Sequence, residues 1–185
     1  MQRITVVGTT GSGKTIMARE ISARLGVPYV ELDALFWGAN WSETPREIFR
    51  ERVDLALRGN AWVVDGNYSK VRDIVWGRAD TLIWLDYPLW LILWRLLWRT
   101  TTRVISGEEL WNGNRESFRE AFFSKKSLFV WALKTYRKLR RDYPRLIQEP
   151  QYMHLQMVRL LTPREATVWL SGVGSAERET AEEKR

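Results

Sequence analysis

The residues that decide the fold are Gly8-Thr9-Thr10-Gly11-Ser12-Gly13-Lys14-Thr15. They satisfy the pattern G-x-x-x-x-G-K-[ST], and their surroundings fit it as well as their letters do. Before them, Arg3-Ile4-Thr5-Val6-Val7 is a short β-branched run of the kind that makes a buried parallel strand. After them, Ile16, Met17, Ile21 and Leu25 recur at near-helical spacing and predict an amphipathic helix from Lys14 to Leu25. Strand, glycine loop and helix together suit a polyphosphate. The glycines let the backbone wrap around it without Cβ clashes. Loop N–H groups and the helix N-terminus then direct partial positive charge at it. Lys14 adds a full charge near the transferred phosphoryl group, and the Thr15 hydroxyl can ligand Mg2+. The same letters also describe a plain strand–turn–helix whose glycines serve only the turn, but four fixed positions in the right context favour the phosphate loop. The stretch therefore implies a nucleoside triphosphate, with ATP and Mg2+ expected on Gly8 to Thr15.

A chain of 185 residues suits one full hydrophobic core. The absence of cysteine excludes a disulfide framework and a thiolate metal site. The chain enters its first strand directly and shows no signal-peptide pattern. Its strongest apolar run, the ten residues Leu89 to Trp98, is broken by Arg95 and is shorter than a bilayer span. A cytoplasmic protein without membrane insertion is the expectation. The net charge of +7 is unevenly placed: residues 89–146 carry 13 Lys/Arg against 5 Asp/Glu, and the remainder is close to balanced. A positive surface facing an anionic partner is implied, either nucleotide phosphates or a nucleic acid. Most of the eleven tryptophans are expected in the core or a cleft wall.

Further along, Tyr29 to Leu32 reads as a second strand, with Asp33 at its carboxyl end, the edge where ligands of open α/β sheets bind. Ala34 to Trp41 is aromatic and loop-like. Thr44-Pro45-Arg46-Glu47 has the form of a capping box and opens a helix to about Arg58. Ala61-Trp62-Val63-Val64-Asp65 and Thr81-Leu82-Ile83-Trp84-Leu85-Asp86 each read as a strand ending in an acid. Either Asp65 or Asp86 suits the Mg2+ site; Asp65 is preferred, since Gly66 allows close approach. A helix from Pro88 to about Val104 carries Trp90, Trp94 and Trp98 in one i,i+4 row and Arg95, Arg99 and Arg103 in the next. Two assignments stand open: tryptophans in the core with arginines in solvent, or arginines lining a phosphate cleft. Residues 106–126 read as a lid-like excursion, and Ser127 to Arg141 as a basic helix stopped by Pro144. Leu155 to Leu161 is a last strand, and Thr162-Pro163-Arg164-Glu165 is a second capping box opening a helix to about Leu170. His154, the sole histidine, has no visible partner for catalysis. The expected fold is an α/β three-layer P-loop sandwich: a five-stranded parallel sheet flanked by helices, with a small helical lid. The expected domain covers 1–170, with its lid at about 105–126 and a polar tail over 171–185.

The order of these pieces resembles the adenylate-kinase-like group of P-loop kinases. Val63-Val64-Asp65-Gly66 is similar to that group's strand end. Asp86-x-Pro88 followed by Arg95 and Arg99 is similar to the spacing of its two lid arginines. The resemblance implies Arg95 against the adenine and Arg99 on phosphate. Leu32-Asp33-x-Leu35-Phe36-Trp37, Trp41, the segment from Trp62 to Ser69, the segment from Asp80 to Pro88 and Asn112-x-Asn114-Arg115-Glu116-Ser117 resemble FlaR-type DNA topology modulation proteins, whose name implies a DNA role. The Pro-Arg that adenylate kinases carry after Asp-Gly-Phe is replaced by Asn67-Tyr68-Ser69, which argues against a nucleoside monophosphate acceptor. Asp33 resembles the acid that shikimate-type kinases place near the acceptor hydroxyl.

The favoured reading is an ATP-dependent kinase of a small molecule. Lys14, Asp33 and Arg99 are its catalytic candidates, and Thr15 and Asp65 its metal candidates. Arg95 joins the loop on the nucleotide, and Asp33, Trp37, Asn67 and Tyr68 meet the acceptor, with Trp41 beside Trp37. The rival reading is an ATP-gated nucleic-acid binder working through 89–146, although no helix-turn-helix, zinc finger or basic tail accompanies it. A nucleotide-binding scaffold without turnover is the third.

Overall fold

β1 (Arg3–Gly8) runs through the middle of the molecule, buried from Ile4 to Gly8. Successive strand residues face opposite sides, so Ile4 and Val6 enter one apolar cluster and Val7 the other. A strand buried on both faces needs cover on both, and the rest of the chain supplies it. The structure, a computed structural model, describes residues 1–106, 109, 111–113 and 128–174. β2 (Tyr29–Glu31), β3 (Trp62–Asp65), β4 (Thr81–Leu85) and β5 (Gln156–Leu160) complete a five-stranded parallel sheet in the order β2-β3-β1-β4-β5. In register, Val6 lies opposite Asp65 on one side of β1, and Gly8 opposite Leu85 on the other.

One face packs Ile4, Val6, Val63, Ile83 and Leu85 against α1 (Lys14–Leu25), Ile92 of α5 (Leu89–Ser106) and Ala166 of α7 (Pro163–Ser171). The other packs Val7, Val64, Leu82 and Trp84 against α2 (Leu32–Phe36), α3 (Arg46–Ala56), α4 (Arg72–Arg78) and α6 (Leu128–Leu146). Trp84 is 1 % exposed and meets Tyr143 of α6 edge-on at 5.5 Å. Truncating such a residue to alanine costs about 3–5 kcal/mol, far more than an exposed pair such as Arg50–Asp73 contributes, about 0–1 kcal/mol. The expected three-layer fold is the observed one. The strand order reverses at β1, which opens a crevice at the carboxyl ends of β1 and its neighbours.

Several local expectations are corrected. Leu32 to Phe36 is a short helix, where Leu32 was expected to end the second strand and Ala34 to Phe36 to lie in a loop, because Leu32 and Phe36, four apart, are both buried in the same cluster. The first capping box does not form. Thr44 is buried and donates its hydroxyl to the Leu35 carbonyl at 3.4 Å, tying the loop to α2, while α3 starts without a side-chain cap. The second does form: Glu165 N–H donates to Thr162 Oγ1 at 3.2 Å, and Glu165 accepts from Leu161 N–H at 2.9 Å. α6 passes through Pro144 instead of stopping there, because Leu139 and Tyr143 continue its buried stripe and Leu146 packs against the same cluster.

The first residues of the tail expected from 171 are folded. Ser171 closes α7, and Val173 is buried against the core; residues 175–185 lie outside the described residues. Most of the expected lid does too; its described part is the last residues of α5, Glu109 and a 3-10 turn, Trp111–Gly113. The tryptophan expectation is reversed on α5. Trp62, Trp76 and Trp84 are buried, but Trp90, Trp94 and Trp98 are 70 %, 60 % and 66 % exposed. Ile92, Leu96 and Thr100 form the buried row instead, because that row lies against the phosphate loop.

Candidate active site

The phosphate loop lies at the carboxyl end of β1, under α5. Gly11 has φ +84°, and a Cβ there would stand 2.9 Å from the Ile92 carbonyl and 3.2 Å from Leu96 Cβ. Only glycine fits both the backbone angle and the gap. Gly13, at φ +93°, starts α1 and brings no side-chain cap. The first-turn N–H groups of the helix are thus left for an anion, with the positive end of the helix dipole behind them.

Inside the loop, Ser12 N–H donates to the Thr9 carbonyl at 3.0 Å and Lys14 Nζ to the same carbonyl at 3.4 Å. Burial pulls the Lys14 ammonium below the ordinary lysine range. Asp65 and then Asp33 oppose that pull, Arg99 adds to it, and Glu31 opposes it. Five groups from four different stretches of sequence thus meet in one electrostatic neighbourhood around the loop.

Thr15 Oγ1 donates to Asp65 Oδ2 at 2.7 Å, and Tyr29 OH donates to Asp65 Oδ1 at 3.1 Å. Asp65 is 4 % exposed, and its burial pushes the carboxyl up to about 6 despite the Thr15 bond and Lys14, with Glu31 and Asp33 adding to the rise. A hydroxyl and a carboxylate in contact are hard oxygen donors of the kind Mg2+ takes. Among the described residues no group of three or more His, Cys, Asp or Glu is placed to hold a metal. The donor set therefore suits a cation that arrives with phosphate oxygens and water, not a permanently caged one. Asp86, the alternative, is committed elsewhere: it accepts from Arg140 Nε at 2.6 Å and from Arg159 Nη2 at 2.5 Å.

Arg95 Nη1 donates to the Ser12 carbonyl at 3.2 Å and its guanidinium lies 5.4 Å from the Tyr87 ring centroid. It and Arg99 stand on the loop side of α5, so the arginine row faces the loop while the tryptophan row faces out. Asp33, in the first turn of α2, accepts a short hydrogen bond from Tyr68 OH. Burial and the Asp33 charge together raise the Tyr68 phenol, which keeps it a neutral donor.

Trp37 and Trp41 meet edge-on at 5.6 Å, and Trp41 meets Trp111 at 6.5 Å. Asn112 Nδ2 donates to the Trp37 carbonyl at 2.6 Å. Trp41 holds φ +54°, a left-handed conformation that costs a bulky residue about 1–2 kcal/mol. The aromatic wall is therefore held in a strained backbone by its packing.

Asn67 is placed differently from expectation. Its Oδ1 accepts from Gly8 N–H at 3.1 Å and from Tyr143 OH at 3.3 Å, while its Nδ2 donates to the Gly8 carbonyl in a short bond. The carboxamide clamps the start of the phosphate loop, with its polar atoms engaged by Gly8 and Tyr143. His154, exposed, lies with Nε2 3.1 Å from the Trp76 carbonyl.

Sequence reasoning missed Tyr29, Tyr143, Arg140, Arg159 and Trp111. Tyr29 begins β2, two residues before Glu31 and on the same strand face, and that alternation was the available signal. The others are brought in from more than 40 positions away, for which no spacing signal exists.

The fold is that of the P-loop kinases. Three solved structures share it over nearly their whole lengths. A gluconokinase from Sinorhizobium meliloti 1021 is 19 % identical, covering 97 % of each chain at a TM-score of 0.52. A shikimate kinase from Bacteroides thetaiotaomicron is 15 % identical, covering 98 % of each at 0.53. A shikimate kinase from Acinetobacter baumannii, in complex with shikimate, is 16 % identical, covering 97 % of this chain and 94 % of its own at 0.53. No protein-family model matches the chain, and no curated protein does. The resemblance to FlaR-type proteins gains no support from these comparisons.

Proposed function

We propose that the protein is an ATP-dependent kinase that transfers the γ-phosphoryl group to a hydroxyl of a small, weakly charged molecule. The observation that carries this reading is the placement of two acids beside the loop: Asp33, just after β2, held by the Tyr68 hydroxyl, and Asp65, ending β3, bonded to Thr15 of the loop itself. A plain nucleotide-binding scaffold needs the second of these and has no use for the first.

In this reading the loop N–H groups and Lys14 hold the polyphosphate, and Arg99 offsets charge that grows on the transferred group. Thr15 and Asp65 would hold Mg2+, which when bound neutralises phosphate charge and orients the β- and γ-oxygens. Arg95, bonded to the Ser12 carbonyl, keeps α5 seated on the loop. Asp33 accepts the acceptor's hydroxyl proton through Oδ2, since Oδ1 is bonded to Tyr68. Trp37 and Trp41 form a wall on which the apolar face of a polyhydroxy compound can rest. Positioning and electrostatics supply most of the rate in such transfers, and these parts provide both. The kinase folds of the neighbouring structures support the reading as to class.

The nucleic-acid reading loses cations to internal bonds, among them Arg95 to Ser12, Arg140 to Asp86 and Arg141 to Asp142. No neighbour reported above favours it. The test is ADP release from MgATP against a panel of polyols, sugar acids and nucleosides, with Lys14→Ala as control. Acceptor-dependent ADP release that falls by about 10²-fold or more in a folded Lys14→Ala protein is expected. Unchanged turnover in that variant would remove the loop from the chemistry.

A further inference from the structure

α5 has two working sides. Ile92 and Leu96 lie on Gly11 of the phosphate loop. On the opposite side Trp90, Trp94, Leu97, Trp98 and Ile105 are exposed, at 70 %, 60 %, 40 %, 66 % and 80 %. At 100° per residue these five fall within about 100° of arc, over about 22 Å of helix length. Thr101 is the one further residue in that arc, and the arc holds no charge. Scattered exposed apolar residues need no explanation, but a continuous tryptophan-rich strip on a helix does.

α6, which packs beside α5, carries Val130, Trp131 and Leu133 exposed near its start. Lys134, Arg137, Lys138 and Arg141 follow on its exposed side. An apolar aromatic strip thus lies next to a row of cations. Among the described residues no helix is long and apolar enough to cross a membrane.

We propose that this surface docks on the headgroup region of an anionic lipid bilayer, the tryptophans of α5 entering the interface and the cations of α6 meeting the lipid phosphates. Four observations select this occupant. Tryptophan, not leucine, dominates the strip, and its ring is suited to the boundary between acyl chain and headgroup. The cations lie to one side of the strip, as in helices that rest in an interface. An isologous pairing of two copies about α5 would bring the cation rows of both copies near each other, and the one acid of α6, Asp142, is already paired with Arg141 of its own copy, which opposes a dimer. Leu97 and Ile105, set among the tryptophans, suit acyl chains and offer nothing to stacked bases. The loop side of α5 faces away from the bilayer in this arrangement, so the nucleotide site stays open while the protein is bound. The inference does not depend on the proposed kinase activity.

The test is flotation of the full-length protein with phosphatidylcholine vesicles, with and without phosphatidylglycerol. Two variants accompany it: Trp90→Gln/Trp94→Gln/Trp98→Gln and Lys134→Gln/Arg137→Gln/Lys138→Gln. Circular dichroism and nucleotide binding report whether each variant is folded; all six residues are exposed and none belongs to the nucleotide site. The parent should float with anionic vesicles, weakly with neutral ones, and less as salt rises. The tryptophan variant should lose binding by about tenfold or more. The cation variant should lose its preference for anionic vesicles, by about a hundredfold for three cations. Failure of the parent to float with anionic vesicles, or equal flotation of parent and tryptophan variant, would overturn the proposal. So would a parent dimer that the tryptophan variant abolishes without any vesicle binding, or capture of single-stranded oligonucleotide through the same tryptophans in its place.

Discussion

Thr15 Oγ1 lies 2.7 Å from Asp65 Oδ2, so the last residue of the phosphate loop and the last residue of β3 are joined by a direct hydrogen bond. They are 50 positions apart, yet β3 lies beside β1 with Val6 opposite Asp65. The parallel ladder delivers the carboxylate to the loop. Tyr29 of β2, the next strand out, closes the other oxygen at 3.1 Å. Sheet order alone therefore builds this acidic corner.

Burial of that corner has a consequence for pH. The Asp65 carboxyl is raised from 3.8 to about 6 in the folded, metal-free protein. A raised acid binds its proton more tightly folded than unfolded, so stability is greatest below the unfolded value and declines as pH rises from about 4 to about 6. At about 1.36 kcal/mol per pH unit the loss attributable to Asp65 is at most about 3 kcal/mol. Asp65→Asn cannot titrate and should lack this slope. Urea unfolding of both proteins across this range checks it, read as the difference between the two profiles.

Gly11→Ala should damage the roof of the site. The added Cβ meets the Ile92 carbonyl at 2.9 Å and would sit at φ +84°. A loss of about 1–3 kcal/mol in unfolding free energy is expected, with weaker nucleotide binding because α5 must shift. Thermal unfolding with and without ATP measures both. Gly26→Ala is the control, since it shares a positive φ but meets nothing within 4 Å; it should affect stability without the nucleotide effect.

The arginine row separates a residue beside Lys14 from one further along the helix. Arg99 acts on Lys14 electrostatically. Its truncation to alanine should lower turnover by about 10²–10³-fold. Arg103→Ala, one helical turn further on, should cost less than about tenfold. Steady-state rates at saturating ATP decide it, and equal small losses would return the row to a structural role.

The fold was legible because its signals are local. β-branched runs, a glycine loop and apolar spacing gave all five strands within about two residues. What escaped depends on which side of a helix meets its neighbour. On α5 both the tryptophan row and the Ile92–Leu96–Thr100 row are credible core stripes by periodicity. Only the position of the phosphate loop beneath Leu96 decides between them. Thr44 illustrates the same limit: its letters spell a cap, but burial turned its hydroxyl to Leu35. At the site, Asp33, Asp65 and the loop were readable from strand ends. The role of Asn67 was not, because its two bonds to Gly8 span 59 positions.

Asp33 serves the acceptor in the proposed reaction, and the rate of acceptor phosphorylation by Asp33→Asn tests that role. Asparagine keeps the shape and can still accept from Tyr68 OH, so the fold and the aromatic wall should survive. It cannot take a proton. With an acceptor identified by ADP release, the account predicts unchanged ATP affinity and a fall in phosphorylation of about 10²–10⁴-fold. Phosphorylation at the parent rate by the folded Asp33→Asn protein would contradict it and leave Asp33 as a residue that positions Tyr68.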